Sequence, residues 1–192
     1  MTIRILAFCG SNRRGSFNQQ LLKLAAQGAV DTGAEVKIVQ LAEFELPIYD
    51  SDEELQHGLP KGVIALQELF AQHDGFLIAT PEYNGGYTAL LKNVIDWISR
   101  PQNNGILGTA LFTGKVAALV SASPGLLGGL RSQMSMRTVL DKLGVLVIPN
   151  SFALSSAHTA FDDEGHLRDI TAQRQVLAVG AALTQAAMKL GV

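Results

Sequence analysis

The stretch IRILAFCGSNRRGSFNQQLLKLAAQGAVDT, residues 3–32, decides the fold. Its first part, residues 3–9, is mostly apolar and is typical of a buried strand, whereas residues 17–32 carry the apolar spacing of a helix. A loop of Gly, Ser, Asn and Arg joins them. Because a strand, a loop and a helix in this order begin a βαβ unit, the stretch predicts an α/β protein with a parallel sheet.

The same order of strand, polar loop and helix occurs twice more along the chain. Residues 76–80 read as a strand that runs into PEYNGGYT, residues 81–88, and residues 116–120 read as a strand that runs into SASPGLLGGLR, residues 121–131. Loops that leave the carboxyl ends of parallel strands gather at one edge of the sheet. The three loops are therefore expected to face one crevice, which is the candidate functional site.

The remaining patterns complete a layered α/β scheme. Two further strands are predicted at residues 35–41 and 145–148, and helices at residues 63–72, 89–99, 130–143 and 169–190. Residues 42–62 are predicted to be a long surface excursion, and residues 150–167 largely loop. The order predicts a single domain over residues 1–192, with a flavodoxin-like, doubly wound, five-stranded parallel sheet of order 2-1-3-4-5 and helices on both faces.

Composition narrows the class of partner. A net charge of -2 and 17% charged residues give no basic surface for nucleic acid or anionic lipid, so a small molecule is the expected partner. Cys9 is the only cysteine, and the apolar start is too short for a membrane span, which together predict a cytoplasmic protein. The four histidines lack metal-ligand spacing, so no metal site is expected.

The first loop has the chemistry of a phosphate site. Ser11, Ser16 and Asn18 supply neutral donors, Arg13 and Arg14 supply charge, and the following helix adds its positive amino end. The loop lacks the lysine of a Walker A motif, and the chain has no G-x-G-x-x-G. A phosphate site of another kind is therefore predicted.

Cys9 leaves a second interpretation open. A cysteine at the end of the first strand with a nearby arginine is similar to the low-molecular-weight tyrosine phosphatases, whose signature places five residues between the two. Here four residues separate Cys9 from Arg14, and position 15 is Gly. The other interpretation of Cys9 is a small buried residue that closes a strand.

The second loop suits a flat ring. Residues 81–85, PEYNG, place a rigid turn, an aromatic plane, an amide and main-chain donors where a strand ends. The apolar helix at residues 89–99 and the methionine-bearing helix at residues 130–143 are expected to serve as core or as dimer interface.

Together the segments GSNRRGSFN, PEYNGGYTALLKNVIDWISR, SASPGLLGGLR and FDDEGHL resemble the NADPH-dependent FMN reductase family, which includes bacterial quinone, chromate and azo-dye reductases. The resemblance implies FMN as cofactor, NADPH or NADH as co-substrate, and a homodimer or homotetramer. Many members read S-x-P-G before LKN, where this chain has Gly86, Tyr87, Thr88 and Ala89. Because these residues lie in the second loop or directly after it, the departure affects the geometry with which that loop contacts the ring.

The resemblance also implies roles for individual residues. Ser11, Arg13, Ser16 and Asn18 would hold the FMN phosphate. Pro81, Glu82, Tyr83, Asn84 and Gly85 would wrap the isoalloxazine and ribityl side, and Ser123 and Gly125 would close the other edge. No side chain is expected to be catalytic, because a flavin carries the hydride chemistry itself.

The expected function is an FMN-dependent NAD(P)H oxidoreductase that passes electrons to a quinone, a flavin, an azo or nitro compound, or chromate by a ping-pong mechanism. Two alternatives stay open. A flavodoxin-like electron carrier would bind FMN without oxidising NAD(P)H, although such carriers often have strongly acidic docking surfaces, which a net charge of -2 does not provide. A phosphatase would require a reactive Cys9 thiolate.

Overall fold

The computed structural model describes residues 2–191. Five strands form one parallel sheet in the order β2-β1-β3-β4-β5, which confirms the predicted topology. The strands are β1 Arg4–Cys9, β2 Glu35–Val39, β3 Gly75–Ala79, β4 Val116–Ala122 and β5 Leu146–Leu154. The helices are α1 Phe17–Asp31, α2 Ser51–His57, α3 Lys61–Gln72, α4 Ala89–Ile98, α5 Leu130–Lys142, α6 Ala157–Ala160 and α7 Ile170–Leu190.

Helices cover both faces of the sheet. Leu77 and Ala79 of β3 pack with α1 and α7, while Phe76 and Ile78 of the same strand pack with α3, α4 and α5. Strands buried on both faces need apolar residues at every position, which explains the continuous apolar runs in the sequence. The loops after β1 and β3 therefore leave neighbouring strands for opposite faces, which is the arrangement at which open parallel sheets bind ligands.

The excursion at residues 42–62 is more ordered than its composition predicts. It contains α2, whose amino end is capped by the Asp50 carboxylate through the N–H groups of Asp52 and Glu53. Asn93 and Trp97 of α4 both donate to the carbonyl of Pro47, at 2.8 Å each. These bonds fix the excursion against α4.

The last strand is longer than predicted, so the expected loop at residues 150–167 is wrong over residues 150–154. Ala117 pairs with Val147 but Leu119 pairs with Ser151, a register shift that passes Pro149, which has no N–H to donate. The short helix α6 follows. The strand beyond the shift brings Leu154 beside the third loop, where its carbonyl accepts from the Ser123 N–H at 3.0 Å.

The two helices that were expected to serve as core or interface contribute to the core. Val94 and Ile98 of α4 and Met136 of α5 are fully buried within this one chain, whereas Met134 is 62% exposed. Within residues 2–191, no helix combines the length and apolarity that crossing a membrane requires.

Candidate functional site

The first loop turns sharply at the end of β1. The Gly10 N–H donates to the carbonyl of Ala79 in the neighbouring strand at 2.9 Å. A Cβ at Gly10 would lie 2.5 Å from Leu91 Cγ and 2.7 Å from Thr88 Oγ1, so only glycine fits between β1 and α4. Gly15 has a φ of 66°, which redirects the chain into α1.

Several polar groups of this loop have no acidic partner, although the Ser11 hydroxyl accepts from the Arg13 N–H at 3.3 Å. Ser16 precedes α1 as its N-cap, but its hydroxyl makes no capping bond, and the first turn of α1 holds no acidic residue. Arg13 and Arg14 are exposed, and neither has a carboxylate within 4.0 Å in the described part of the chain. A helix amino end with free N–H groups, a hydroxyl and two guanidinium groups fits a dianionic phosphate.

The Asn18 side chain has a structural task. Its Nδ2 donates to the carbonyl of Ala122 at 2.8 Å, and its Oδ1 accepts from the Ala122 N–H at 2.9 Å. These two bonds turn the Asn18 amide toward the end of β4, and its main-chain N–H lies in the first turn of α1. Sequence reasoning missed Gln19. Its Nε2 donates to the Ser11 carbonyl at 2.8 Å and so supports the loop. The S-x-x-Q spacing from Ser16, which is typical of a helix amino end, was the signal in the sequence that could have found it.

The geometry argues against a reactive cysteine. Cys9 ends β1 and is 5% exposed. Burial raises the pKa of its thiol to about 11, and hydrogen bonds with the Ser11 N–H and the Ser16 hydroxyl offset only part of that rise. The raised pKa favours the protonated thiol near neutral pH over the thiolate that a phosphatase requires.

The second loop contains a tight turn. The N–H groups of Tyr83 and Gly86 donate to each other's carbonyls, at 3.0 and 3.1 Å. Asn84 and Gly85 between them have φ values of 53° and 82°, as in a type I′ turn, which favours Asn-Gly. Within residues 2–191 the Asn84 and Gly85 N–H groups have no acceptor, and the Tyr83 ring is 59% exposed beside them.

Glu82 is paired within the protein. The Arg131 Nε donates to its carboxylate at 2.7 Å, the Arg131 main-chain N–H donates at 3.1 Å, and Nη2 of the same guanidinium also contacts it. The Arg131 guanidinium holds the pKa of the Glu82 carboxyl below its ordinary value. The pair joins the second loop to the first turn of α5.

The third loop is fixed onto β5. Ser123 pairs with Leu154 and with Ala157 through its main chain, and its hydroxyl accepts from the exposed Gly125 N–H at 3.1 Å. Gly129 has a φ of 92°, and a Cβ there would lie 2.7 Å from Ser121 Cβ. The loop therefore crosses directly over the end of β4.

Buried bonds connect the three loops to one another. Thr88 Oγ1 donates to the Gly10 carbonyl at 2.9 Å and accepts from the Leu91 N–H, so this departure from the family pattern joins the second loop to the first. Ser132 of α5 donates to the Pro81 carbonyl at 2.9 Å, which joins the helix that follows the third loop to the second loop. The Asn18–Ala122 pair joins the first loop to the third. Sequence reasoning noted Thr88 as a departure from the family pattern but not its bonds, and it missed Ser132. Hydrogen bonds of this kind preorganise a binding surface.

Comparison with known proteins identifies the family. The sequence model of the NADPH-dependent FMN reductase family matches residues 3–159. The chain belongs to this family. An NAD(P)H:quinone oxidoreductase of Solanum tuberosum is 37% identical over 98% of this chain and 94% of its own length. An NAD(P)H-dependent FMN reductase of Pseudomonas aeruginosa is 35% identical over 91% of this chain and 89% of its own length.

Solved structures agree with the family. FerB, a flavoenzyme NAD(P)H:(acceptor) oxidoreductase from Paracoccus denitrificans, superimposes with a TM-score of 0.81 at 26% identity and covers 98% of both chains. An archaeal flavodoxin shares the fold, with a TM-score of 0.61 at 6% identity over 97% of this chain and 99% of its own. As an FMN reductase family member the chain is an enzyme that uses FMN with a nicotinamide nucleotide, as the sequence predicted.

Proposed function

We propose that residues 1–192 form a single FMN-binding domain, and that its three connected loops hold the flavin. Ser11, Arg13, Ser16 and the main-chain N–H of Asn18 bind the phosphate. The turn at residues 81–85 receives the ring, and Ser123 and Gly125 border its other edge. The observation that carries the proposal is the amino end of α1, which has no side-chain cap and no acidic residue, beside the turn after the neighbouring strand β3, where the Asn84 and Gly85 N–H groups have no acceptor within residues 2–191.

Bound FMN supplies hydride and electron transfer. The task of the protein is to bind and orient it, and the Asn84 and Gly85 N–H groups can donate to a polar ring edge where negative charge develops. We propose that the nicotinamide nucleotide and the acceptor use the same open side in turn, in a ping-pong cycle. Quinones, flavins, azo or nitro compounds and chromate are the proposed acceptors, and the potato and Pseudomonas relatives support the first two by name.

The direct test is steady-state kinetics with FMN-loaded protein. NADPH and NADH oxidation is followed at 340 nm while a benzoquinone is varied, and the proposal expects parallel lines in double-reciprocal plots. Intersecting lines would contradict the shared site. Protein that binds FMN but oxidises neither nucleotide would be the electron carrier that the sequence left open.

Alkylation tests the phosphatase alternative. Because Cys9 is buried and its pKa is raised to about 11, iodoacetamide at pH 7 should leave the native protein unmodified and fully active in NAD(P)H oxidation. Mass spectrometry reports the modification, and urea-unfolded protein is the positive control. Rapid labelling of native Cys9 with loss of activity would contradict the assignment.

We also propose that the protein is a homodimer or homotetramer. Leu126, Leu130 and Met134 expose 90%, 42% and 62% of their surface along the third loop and the start of α5. Exposed apolar patches are typical of contact surfaces. Light scattering after size-exclusion chromatography measures the mass, and a 20.5 kDa particle would contradict the proposal.

A further inference from the structure

The late segment FDDEGHL, residues 161–167, lies outside the three loops but forms a firm hairpin. Phe161 and Leu167 pair as an antiparallel bridge, and Leu167 is buried in the core. The Asp162 carboxylate accepts from the Glu164 N–H at 3.0 Å and the His166 N–H at 2.8 Å. These bonds fix the main chain from which the Phe161 ring projects.

One intermediate residue connects the Phe161 ring, by side-chain contacts, to the phosphate site. It lies parallel to Phe17, with 6.2 Å between ring centroids and 2° between planes. Phe17 is the first residue of α1, and the Arg13 guanidinium carbon lies 5.4 Å from its ring centroid. Both distances fall in the ranges at which aromatic pairs and cation–π contacts are attractive.

An aromatic partner suits an anion-binding arginine better than a carboxylate does. Arg131 shows the contrast, because Glu82 occupies its donors and neutralises its charge. A contact with the Phe17 ring restrains the Arg13 side chain but uses none of its five N–H donors. Its N–H donors therefore remain available to a phosphate.

We propose that Phe161 is a positioning residue, which through Phe17 orients Arg13 toward the phosphate of the flavin and so sets the preference for FMN over riboflavin. This inference rests on the proposed function. It gives the FDDEGHL hairpin a role in cofactor selection. Restraining a long side chain before binding lowers the entropy that is lost when the ligand binds.

The test compares two ligands that differ only in the phosphate. Apoprotein is titrated with FMN and with riboflavin by flavin fluorescence, for the wild type, Phe161→Leu, Phe161→Tyr, Arg13→Ala and the Phe161→Leu/Arg13→Ala double variant. Phe161→Leu should weaken FMN about three- to tenfold and leave riboflavin unchanged, because one aromatic contact contributes on that scale. Phe161→Tyr keeps the ring and should bind FMN as the wild type does.

The double variant tests the coupling between the two residues. If Phe161 acts through Arg13, Phe161→Leu should have no further effect on FMN binding once Arg13 is alanine. Tyr49→Leu is the matched control, because Tyr49 carries Arg100 over its ring at 5.3 Å and packs on Trp97, and neither partner belongs to the three loops. It should leave the FMN-to-riboflavin ratio unchanged.

Three results would overturn the inference: equal weakening of both flavins by Phe161→Leu, no weakening of FMN, or losses that add in the double variant. If Phe161→Leu does not fold, Phe17→Leu removes the intermediate ring and carries the same expectations. The proposed function fails separately, since it requires wild-type protein to bind FMN and Arg13→Ala to weaken it. An Arg13 effect without a Phe161 or Phe17 effect would overturn the inference alone.

Discussion

The two edges of the sheet differ in how many of their polar groups are paired inside the protein. At the amino edge, Lys115 donates to the carbonyls of Phe70 and His73 at the end of α3, and the Asp74 carboxylate accepts the Arg4 N–H at 2.7 Å. Burial lowers the pKa of Lys115 to about 8. These groups find their partners inside the protein, so their effect is on stability.

At the carboxyl edge only some of the polar groups are paired. Asn18, Thr88 and Ser132 connect the loops, whereas Arg13 and the N–H groups of Asn84 and Gly85 remain available. Groups with internal partners shape the site, and groups without them bind. The contrast therefore assigns a separate measurable consequence to each class of residue.

Arg13→Ala should have the largest effect, on FMN binding. It removes a charged donor from the phosphate site, and such hydrogen bonds contribute about 1.5–3 kcal/mol, or roughly ten- to 150-fold in Kd. Arg14→Ala makes the same change in net charge and should weaken FMN by less than about threefold. Isothermal titration calorimetry measures both, and equal losses would show that net charge alone is responsible.

Asn18→Ala should act mainly on stability. It leaves the buried N–H and C=O of Ala122 without partners, which costs about 2 kcal/mol or more in the free energy of unfolding. Gln27→Ala, on the exposed side of the same helix, should change stability by less than about 0.5 kcal/mol. Urea unfolding followed by circular dichroism gives both values, and a wild-type midpoint for Asn18→Ala would contradict the structural role.

Glu82→Gln should have a small, pH-dependent effect. Because Arg131 lowers the folded-state pKa of Glu82, the pair stabilises the protein above the ordinary glutamate pKa and loses that contribution as the pH falls through the lowered value. Glu82→Gln should cost about 1 kcal/mol or less at pH 7 and nothing at low pH. Thermal melts from pH 3 to 7 measure the difference, and a constant offset would contradict the assignment.

Lys115→Met should leave FMN binding unchanged. In the wild type, the folded-state pKa of Lys115, about 8, lies below the ordinary 10.5. Between these two pH values the unfolded chain binds more protons than the folded chain, so the stability of the wild type should rise with pH. The variant should abolish this rise because no titrating group remains at position 115. A changed FMN Kd would mean that the amino edge also takes part in binding.

The fold could be predicted from the sequence because the elements that determine it show local patterns of apolar residues and glycines. The apolar runs of β1, β3 and β4 and the glycines after them predicted the sheet order and the loop edge. The strand beyond Pro149 was missed because it begins with two exposed polar residues, Asn150 and Ser151, and lacks a clear apolar pattern. The roles of Thr88 and Ser132 were missed because their hydrogen bonds join residues 78 and 51 positions apart, which no local pattern reports.

A structure of the protein with FMN tests the central claim most directly. The phosphate is expected at the amino end of α1 within hydrogen-bond distance of Ser16 and Arg13, and the ring against the Tyr83 turn, with the three loops positioned as they are without ligand. Density for the flavin at another edge of the sheet would contradict it. So would a phosphate bound by residues outside the first loop.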